Sequence, residues 1–392
     1  MTTLDQFSPA VWLLGGTLLF SFLIQLFFWF FFYKRPYSFQ KKRKLSPLSD
    51  EALPAISVIV TSKNNAEELA RNLPFILEQD YPDFEVIVVN SGSTDDTDMV
   101  LMGAEQKYSR LYHTYVPAEA DGLNEKKLAL TLGIKAAKHP FLLFTEAYCR
   151  PCSNEWIREF GKEFATGKEV VLGFSRLEIS KRTGLRGFML YDNLIHHLKF
   201  LSMAIIRKPF MGIGRNLAYK KELFFKNRGY SSILNLEGGE DDIFINRIAT
   251  GKNAGVVLSK ESMTETDSVR HFSTWRSLKS GYLHSKRYYK GFLFRLFGLE
   301  TFSKYLFYLL FIAAVVVGAL TDNVLLVAFA IFLFIIRYAV QWRIITLNSR
   351  LFNAGKYHVN LPFYDILQPL NNMRFRKYAA RRSRTRGKTQ IK

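Results

Sequence analysis

The chain has 392 residues, 48% of them hydrophobic and 35 of them phenylalanine, so it can bury a large core and still present apolar side chains to lipid. Lys and Arg outnumber Asp and Glu by 54 to 34, and the resulting formal charge of +20 favours anionic partners. The cysteines Cys149 and Cys152 exclude a disulfide framework. Their spacing would suit a redox pair or half a zinc site, but a structural zinc site needs a second ligand cluster, which is missing. Two ordinary loop thiols are therefore expected.

Residues 10–32 form an uncharged stretch long enough to cross the roughly 30 Å hydrocarbon core of a bilayer. The run is too long for a signal peptide, and no small-residue cleavage site follows it. Basic residues follow from Lys34 to Lys44, with no acid among residues 33–46. The positive-inside rule then places the N-terminus outside and residue 34 onward in the cytoplasm. We expect a transmembrane anchor at residues 1–33 and a basic linker at residues 34–54.

Two further apolar runs, 305–320 and 324–336, lie near the C-terminus. Each is short for a full span, Arg337 would have to snorkel, and a buried helical hairpin is the alternative. Basic flanks on both sides favour an interfacial segment and transmembrane hairpin at residues 291–342. An amphipathic segment and basic cytoplasmic tail would follow at residues 343–392. This placement assigns the excess charge to anionic membrane lipids and not to nucleic acid, for which no recognised module is present.

The middle of the chain alternates between strand and helix patterns. Unbroken apolar runs predict buried parallel strands, and amphipathic periodicity predicts helices, one of them kinked at Pro74. The strands are Ile56–Val60, Glu85–Val89 and Phe141–Phe144, and the helices are 66–79 and 125–138. This order predicts an α/β fold with a mostly parallel sheet. Ligands bind at the carboxyl ends of such strands, which here are residues 61–65, 90–94 and 145–148.

Six segments resemble, in order and spacing, those of the family 2 glycosyltransferases, which have the A-type nucleotide-diphospho-sugar transferase fold. They are residues 56–97, 122–138, 141–157, 211–230, 238–249 and 273–289. The resemblance implies a cytoplasmic catalytic domain over residues 55–290 on a cell (inner) membrane, in a bacterium. It also implies transfer with inversion from a nucleotide-diphospho-sugar donor to a lipid-linked or cell-surface glycan acceptor.

The sequence Glu240-Asp241-Asp242 offers the base that such a transfer needs near the acceptor hydroxyl. Adjacent like charges raise at least one pKa, which suits a base. The resemblance assigns that role to Asp241 within the catalytic cluster. An acidic cap at a helix N-terminus is the alternative interpretation.

The remaining candidate residues divide into a donor side and an acceptor side. Basic side chains can neutralise phosphate oxygens, and small residues let backbone approach a ligand, although surface charge, an ordinary turn and core packing are the alternatives. The donor-binding candidates are Thr61, Asn64, Asn90, Ser91, Lys126, Lys127, Glu146 and Arg287. The acceptor or pocket candidates are Gly212, Gly214, Arg215, Asn216, Trp275 and His284.

The chain departs from the family pattern at the metal motif. An Asp-x-Asp is expected, and the chain has Glu146-Ala147-Tyr148. A protonated phenol is a poor ligand for Mg²⁺, so binding of Mg²⁺ or Mn²⁺ would depend on Glu146. His284 and Tyr288 likewise stand where the family has Gln and Trp. These changes favour the alternative function, a non-catalytic membrane scaffold or regulatory relative, whereas the retained carboxylate cluster favours an active enzyme.

Overall fold

The computed structural model describes residues 8–43, 49–116, 124–236, 238–267, 269, 271–291 and 295–389, the last nine of these by their backbone. An α/β body lies between helices at the two ends of the chain. The described α-helices are α1 Pro9–Phe28, α2 Arg35–Lys42, α3 Ala66–Leu77, α4 Thr97–Lys107, α5 Glu125–Ala136, α6 Trp156–Ala165, α7 Arg186–Ile205, α8 Lys221–Lys226, α9 Asp242–Ile248, α10 Phe272–Ser285, α11 Leu296–Leu320, α12 Val324–Phe352 and α13 Leu361–Thr389.

Within the described residues, seven strands form the central sheet in the order β3-β2-β1-β4-β8-β6-β9. All neighbours are parallel except β8, which is antiparallel to both β4 and β6. A second sheet has the order β5-β10-β7. The strands are β1 Ile56–Ser62, β2 Phe84–Asn90, β3 Leu111–Tyr115, β4 Phe141–Glu146, β5 Cys149–Pro151, β6 Val170–Gly173, β7 Ser175–Arg176, β8 Leu217–Lys220, β9 Ala254–Val257 and β10 Thr264–Thr266.

The central strands are buried on both faces, as their unbroken apolar sequences require. Ile59 packs on the side of α5 and α7, whereas Val58 and Val60 pack on the side of α3 and α6. Every residue of β1 and β2 is buried. The expected α/β class with a mostly parallel sheet is confirmed, and α3 contains Pro74 inside a continuous helix.

The strand register brings the expected ligand-binding ends to one edge of the sheet. Thr61 of β1 is paired with Glu146 of β4, and Ser62 is paired with Asn90 of β2. The three loops that follow these strands therefore open on the same side of the body.

Three of the described helical stretches, Pro9–Lys42, Leu296–Leu320 and Val324–Phe352, are long and apolar enough to cross a membrane. They pack together through Leu18, Phe22, Phe307 and Leu326. Large apolar side chains remain exposed on all three: Trp12, Leu13, Phe20, Leu309, Ile312, Leu320, Leu325, Phe332 and Ile335. A buried hairpin would cover such side chains, so they favour contact with lipid.

Helix α12 continues to Phe352, so the boundary placed at residue 342 falls inside a helix. The apolar run ends at Arg337 in the sequence, but Arg337 does not snorkel to an interface. Its side chain is buried, pairs with Asp365 of α13 at 2.6 Å and donates to Tyr308 and Gln25 at 3.0 Å each. Polar partners from distant segments thus allow the helix to extend past its charge.

Helix α1 is joined to the α/β body through a π-helical turn, Trp29–Tyr33. The Ser202 hydroxyl of α7 donates to the Phe32 carbonyl at 2.7 Å, and the Asn348 amide of α12 donates to the Tyr33 carbonyl at 2.9 Å. These bonds give partners to carbonyls at the π-helical turn. The chain is then tied to the far edge of the sheet, because Arg43 donates to the Val256 carbonyl at 2.7 Å and pairs with Glu163.

Candidate active site

A narrow cleft of about 20 Å³ lies at the carboxyl edge of β1 and β4. It collects candidates that are far apart in sequence, from the strand ends, from α5 and from the loop before α9. Its lining residues are Thr61, Lys126, Leu130, Phe144, Thr145, Glu146, Gly214, Leu217, Tyr219, Tyr230, Glu240 and Asp241.

Asp241, the middle residue of the acidic triplet, lines the cleft, and both oxygens of its carboxylate accept hydrogen bonds. Its Oδ1 accepts from the Asp242 amide at 2.8 Å and so caps α9, which was the alternative interpretation of the triplet. Its Oδ2 accepts from the Gly214 amide at 2.7 Å and from the Tyr282 hydroxyl at 3.1 Å. Oδ1 thus caps the helix, and Oδ2 is the oxygen that a catalytic role would use.

Burial and the neighbouring Glu240 carboxylate raise the pKa of Asp241. Burial and Asp241 in turn raise the pKa of Asp242 to about 8. Asp242 lies beneath the cleft surface, where Tyr289 donates to its Oδ2 at 2.6 Å and the Ile243 amide donates to its Oδ1 at 2.8 Å. A protonated Asp242 next to Asp241, which lines the cleft, concentrates the negative charge near the cleft.

Lys126 bridges two carboxylates that come from different parts of the chain. Its Nζ lies 3.0 Å from Glu146 Oε1 at the end of β4 and 3.0 Å from Glu240 Oε1. Burial alone would lower the pKa of the ammonium, but Glu146 and Glu240 outweigh it and raise that pKa well above its usual value. The same ammonium lowers the pKa of Glu240 against the effect of burial. A charged lysine thus stands at the mouth of the cleft.

Two other basic candidates do not line the cleft. The Lys127 ammonium is turned toward the Leu236 carbonyl, to which it donates. Arg287 hydrogen-bonds His284 at 2.9 Å between ring and guanidinium nitrogens and lies over the Tyr288 ring. The structure therefore places Lys126 in the cleft and the other two outside its lining.

The candidates for nucleoside recognition connect the loops after β1 and β2. Asn64 accepts from the Thr94 amide at 2.8 Å and has a left-handed backbone with φ 53°. Asn90 accepts from the Ser93 amide at 3.0 Å, and the Ser91 amide donates to the Ser62 carbonyl at 2.8 Å. These bonds make the strand-end loops one ordered surface next to the cleft.

The loop Gly212–Asn216 contains one residue that lies against the cleft and others that hold the fold together. Gly214 lies so close to Asp241 that a β-carbon on it would come within 3.3 Å of Oδ2, and Gly212 is packed among core side chains. Asn216 is a structural residue, because its amide oxygen accepts from Trp156 at 2.9 Å and its nitrogen donates to two carbonyls. Arg215 is buried between them.

Trp275 packs in the core against Phe188, Phe272 and Phe375, with one edge on a second cavity. Cys149 and Cys152 are both free thiols, as expected.

Three functional candidates on α10 and just after it were missed from the sequence. Tyr282 donates to Asp241, whereas Ser285 and Tyr289 donate to Asp242. Their spacing places them near one face of a helix, and this polar stripe was the available signal. The stripe connects α10 to the carboxylates more than 40 residues earlier in the chain.

Residues 57–225 match the family described as Glycosyl transferase family 2. Over this stretch the chain matches a family 2 glycosyltransferase domain. The matched range includes the strand ends, Lys126 and the Gly212–Asn216 loop, and it ends before Glu240. The roles of the acidic triplet and of α10 in this glycosyltransferase domain therefore stay predictions.

The chain is similar to Glycosyltransferase AglE of Haloferax volcanii, with 28% identity over 143 residues. The match covers 36% of this chain and 45% of that protein, less than half of its length. The structure is similar to the mannosyltransferase PcManGT from Pyrobaculum calidifontis, solved in complex with GDP-Man and Mn²⁺, with a TM-score of 0.56 and 18% identity over 92% of this chain and 99% of that one. A match to S. aureus TarS 1–349 in complex with UDP-GlcNAc has a TM-score of only 0.41, with 15% identity over 83% of this chain and 92% of that one. Together with the family match, the PcManGT similarity confirms the A-type fold.

The degenerate metal motif offers few free ligands for a divalent metal ion in the described structure. In the part of the chain that the structure describes, no group of three or more His, Cys, Asp or Glu side chains could hold a metal ion. Glu146 is already paired with Lys126, and burial together with Glu146 raises the pKa of the Tyr148 phenol well above its usual value. A neutral phenol and an engaged carboxylate are poor ligands for a hard cation.

Proposed function

We propose that this protein transfers a sugar from a nucleotide-diphospho-sugar to the hydroxyl of a lipid-linked or cell-surface glycan acceptor, with inversion at the anomeric carbon. The observation that carries the proposal is one cleft in which Asp241 and the Lys126 ammonium both line the wall. A base for the acceptor and a cation for the leaving diphosphate are the two groups that such a transfer needs.

In this proposal Asp241 accepts the proton of the attacking hydroxyl through Oδ2. Burial and Glu240 raise the pKa of this carboxylate and make it a stronger base. The Gly214 amide and the Tyr282 hydroxyl fix its orientation. The acceptor oxygen forms its bond to the anomeric carbon as the bond to the diphosphate breaks on the opposite face, so the configuration inverts.

Lys126 is proposed to stabilise the departing diphosphate. Its contacts with Glu146 and Glu240 keep the ammonium charged and hold it at the cleft before the donor binds. The strand-end residues Thr61, Asn64, Asn90 and Ser91 are proposed to hold the nucleotide. PcManGT was solved with Mn²⁺ and GDP-Man, but the ligand set here leads us to propose that Mg²⁺ or Mn²⁺ has at most a modest effect on donor binding.

The catalytic domain is proposed to lie on the cytoplasmic side, with residue 1 outside and residues 34–304 and the basic tail inside. In support, a groove of about 580 Å³ between α2 and α12 is lined by Lys34, Lys41, Lys42 and Arg343, a suitable surface for anionic lipid headgroups. A topology reporter fused after residue 392 should read as internal. An external reading would contradict this arrangement.

The decisive experiment is donor hydrolysis and transfer by the purified full-length protein across a panel of nucleotide-diphospho-sugars, with and without Mg²⁺ or Mn²⁺. Turnover of one donor supports the proposal. The alternative, a scaffold or regulatory relative, is favoured by the small cleft and by the engagement of Glu146 with Lys126. It predicts neither donor turnover nor saturable donor binding in the same panel.

A further inference from the structure

A second cavity, of about 50 Å³, lies between α7, α10 and α13 beside the proposed base. One of its lining residues, Tyr282, donates to Asp241 Oδ2, and another, Arg215, follows Gly214, whose amide donates to the same oxygen. Polar and aromatic side chains dominate the wall, among them Asp192, His196, Arg215, Trp275, Tyr282 and Asn372.

Arg215 is the unusual member of this wall. Its side chain is buried, with 4% of the residue exposed, and the structure shows it in no ion pair with any described residue. Its Nε and Nη1 find no hydrogen-bond partner among the described residues. Burying guanidinium nitrogens without partners is expensive, because they lose their hydration and no hydrogen bond replaces it. Arg337, which is equally buried, pairs with a carboxylate at 2.6 Å.

The other charges near Arg215 are already engaged. Asp192 is paired with Lys279 and also accepts from Gln368 at 3.0 Å. Glu146, which acts on Arg215 electrostatically, is 3.0 Å from the Lys126 ammonium. Among the described residues, the positive charge of Arg215 is therefore left without a paired counter-charge.

Two further polar atoms of the same wall lack partners in the described structure, Nε2 of His196 and Oδ1 of Asn372. Unsatisfied buried polar atoms are rare, and several around one cavity indicate that it holds a polar occupant. About 10–15 Å³ of such space is enough for one water molecule. The cavity, at about 50 Å³, therefore has room for several waters or for a small anionic group.

We propose that this cavity binds an anionic group of the acceptor, a phosphate or a carboxylate, with the Arg215 guanidinium as its main ligand. The inference rests on the proposed function, in which Asp241 activates the acceptor hydroxyl. An anion held by Arg215 places its attached hydroxyl beside that base. Gln368 and Asn372 of α13 line the cavity, and α13 is fixed to α12, a candidate membrane span, through Asp365 and Arg337.

The test uses the purified full-length protein in lipid nanodiscs with the donor identified from the panel. Four acceptor probes in matched charged and neutral forms are compared for this purpose: farnesyl phosphoglucose, farnesyl glucoside, a glucuronate-terminated oligosaccharide and its glucose-terminated counterpart, each of which has free sugar hydroxyls. Preference for farnesyl phosphoglucose over farnesyl glucoside identifies a phosphate source, and preference for the glucuronate probe identifies a carboxylate source. Equal use of charged and neutral probes overturns the inference. Failure of every probe together with absent donor hydrolysis instead rejects the proposed function.

Arg215→Gln keeps the approximate length of the side chain and removes its charge. The KM for the preferred anionic acceptor should rise roughly tenfold to a hundredfold, as expected for loss of hydrogen bonds to a charged group, with donor affinity unchanged. Arg215→Lys should recover part of the loss. The control Arg150→Gln, at a partly exposed arginine paired with Glu265, should leave both constants unchanged. A parallel loss of donor affinity in Arg215→Gln would mean that Arg215 serves the donor, and the inference would be wrong.

Asn372→Leu tests the same cavity without touching Arg215, should Arg215→Gln fail to fold. A larger apolar side chain on α13 should fill part of the space and raise the acceptor KM while donor hydrolysis is kept. If acceptor KM is unchanged in this folded variant, the cavity holds only water and the inference is rejected.

Discussion

Two clusters of buried charge in this protein differ in how completely they are paired. At the junction between membrane and catalytic body, Lys304 lies 2.9 Å from Glu300 and 2.8 Å from Asp365, and Asp365 also pairs with Arg337 at 2.6 Å. Lys199 of α7 completes the group at 3.2 Å from Glu300. In the candidate active site, three carboxylates adjacent in sequence lie together, Lys126 pairs with Glu240 among them, and Arg215 is in no ion pair with a described residue.

The junction cluster connects α7, α11, α12 and α13, and each of its carboxylates meets two cations. Such saturation suits a structural role, since a buried pair that is broken leaves a costly uncompensated charge. The candidate catalytic cluster is not saturated in this way: the pKa values of the crowded carboxylates Asp241 and Asp242 are raised, and Arg215 is in no ion pair with a described residue. The difference suggests that in this fold incomplete pairing identifies the groups that meet substrate.

The largest expected effect comes from Asp241→Asn. The amide keeps the shape of the side chain but cannot accept the proton, so transfer should fall by about 10²–10⁴-fold. Donor affinity should change little, whereas stability should fall by about 1–3 kcal/mol, because the amide nitrogen of Asn cannot accept from one of the two backbone N–H groups that Asp241 binds. The matched control is Asp267→Asn, a carboxylate outside the cleft that accepts from Arg71 and Asn72. Transfer at the wild-type rate in Asp241→Asn would show that another group is the base.

The junction cluster should respond in stability and not in chemistry. Asp365→Asn removes the partner of Lys304 and Arg337, and breaking a buried pair of this kind costs about 3–5 kcal/mol. Unfolding of the detergent-solubilised protein should therefore shift strongly, while the acceptor KM of the folded fraction is unchanged. Glu222→Gln, at an exposed pair with Lys220, provides the control and should be silent. An unchanged unfolding curve for Asp365→Asn would show that this cluster does not stabilise the fold.

The pH dependence of stability should report Asp242. Its pKa is raised to about 8 in the folded protein, so the folded state holds a proton that the unfolded chain releases near its ordinary pKa of about 3.9. Stability should therefore fall as pH rises from about 4 to about 8, by no more than about 1.4 kcal/mol per pH unit. Asp242→Asn cannot ionise and still offers an oxygen to Ser285 and Tyr289, so its stability should vary less. Parallel wild-type and variant curves between about pH 5 and pH 8 would contradict this assignment.

The sequence was sufficient for the body of the fold because its signals are local. The run Ile56–Val60 is a buried strand through its own side chains, and the polar residues after each strand lie at a common edge because parallel strands end together. The family resemblance added the later half of the domain.

The pairings that distinguish the two clusters were not predictable in the same way. Arg337 meets Asp365 of α13 and Gln25 of α1, and Tyr282 meets Asp241 across 41 positions, so tertiary packing decides each contact. From composition alone, Arg337 is predicted to mark the end of a membrane-spanning helix. The unpaired state of Arg215 likewise depends on Asp192 and Glu146 being engaged elsewhere, which no local pattern encodes.

The smallest expected effect concerns the metal motif, where Tyr148→Asp would restore the acid-x-acid spacing with Glu146. Mg²⁺ favours hard oxygen ligands and often binds through one or two carboxylates plus substrate phosphates. If the new carboxylate is free, donor affinity in the variant should rise a few-fold when Mg²⁺ or Mn²⁺ is added, while the wild type responds less. Calorimetric titration of the donor with and without each ion measures this difference.

Two local features oppose metal binding in Tyr148→Asp. Lys126 already pairs with Glu146. Arg215 acts electrostatically on position 148 and has nitrogens without a hydrogen-bond partner among the described residues. Arg215 would therefore pair with the new carboxylate at position 148 before any metal binds. In that case donor affinity would be insensitive to both ions, and the acceptor KM would rise as it does in Arg215→Gln. A fall in donor affinity that neither ion alters, with acceptor KM unchanged, would instead mean that the Tyr148 ring packs against the donor. Tyr148→Phe, which keeps the ring and removes the hydroxyl, should then bind donor as the wild type does. The unpaired charge of Arg215 would in that case serve the acceptor and not a metal or the donor.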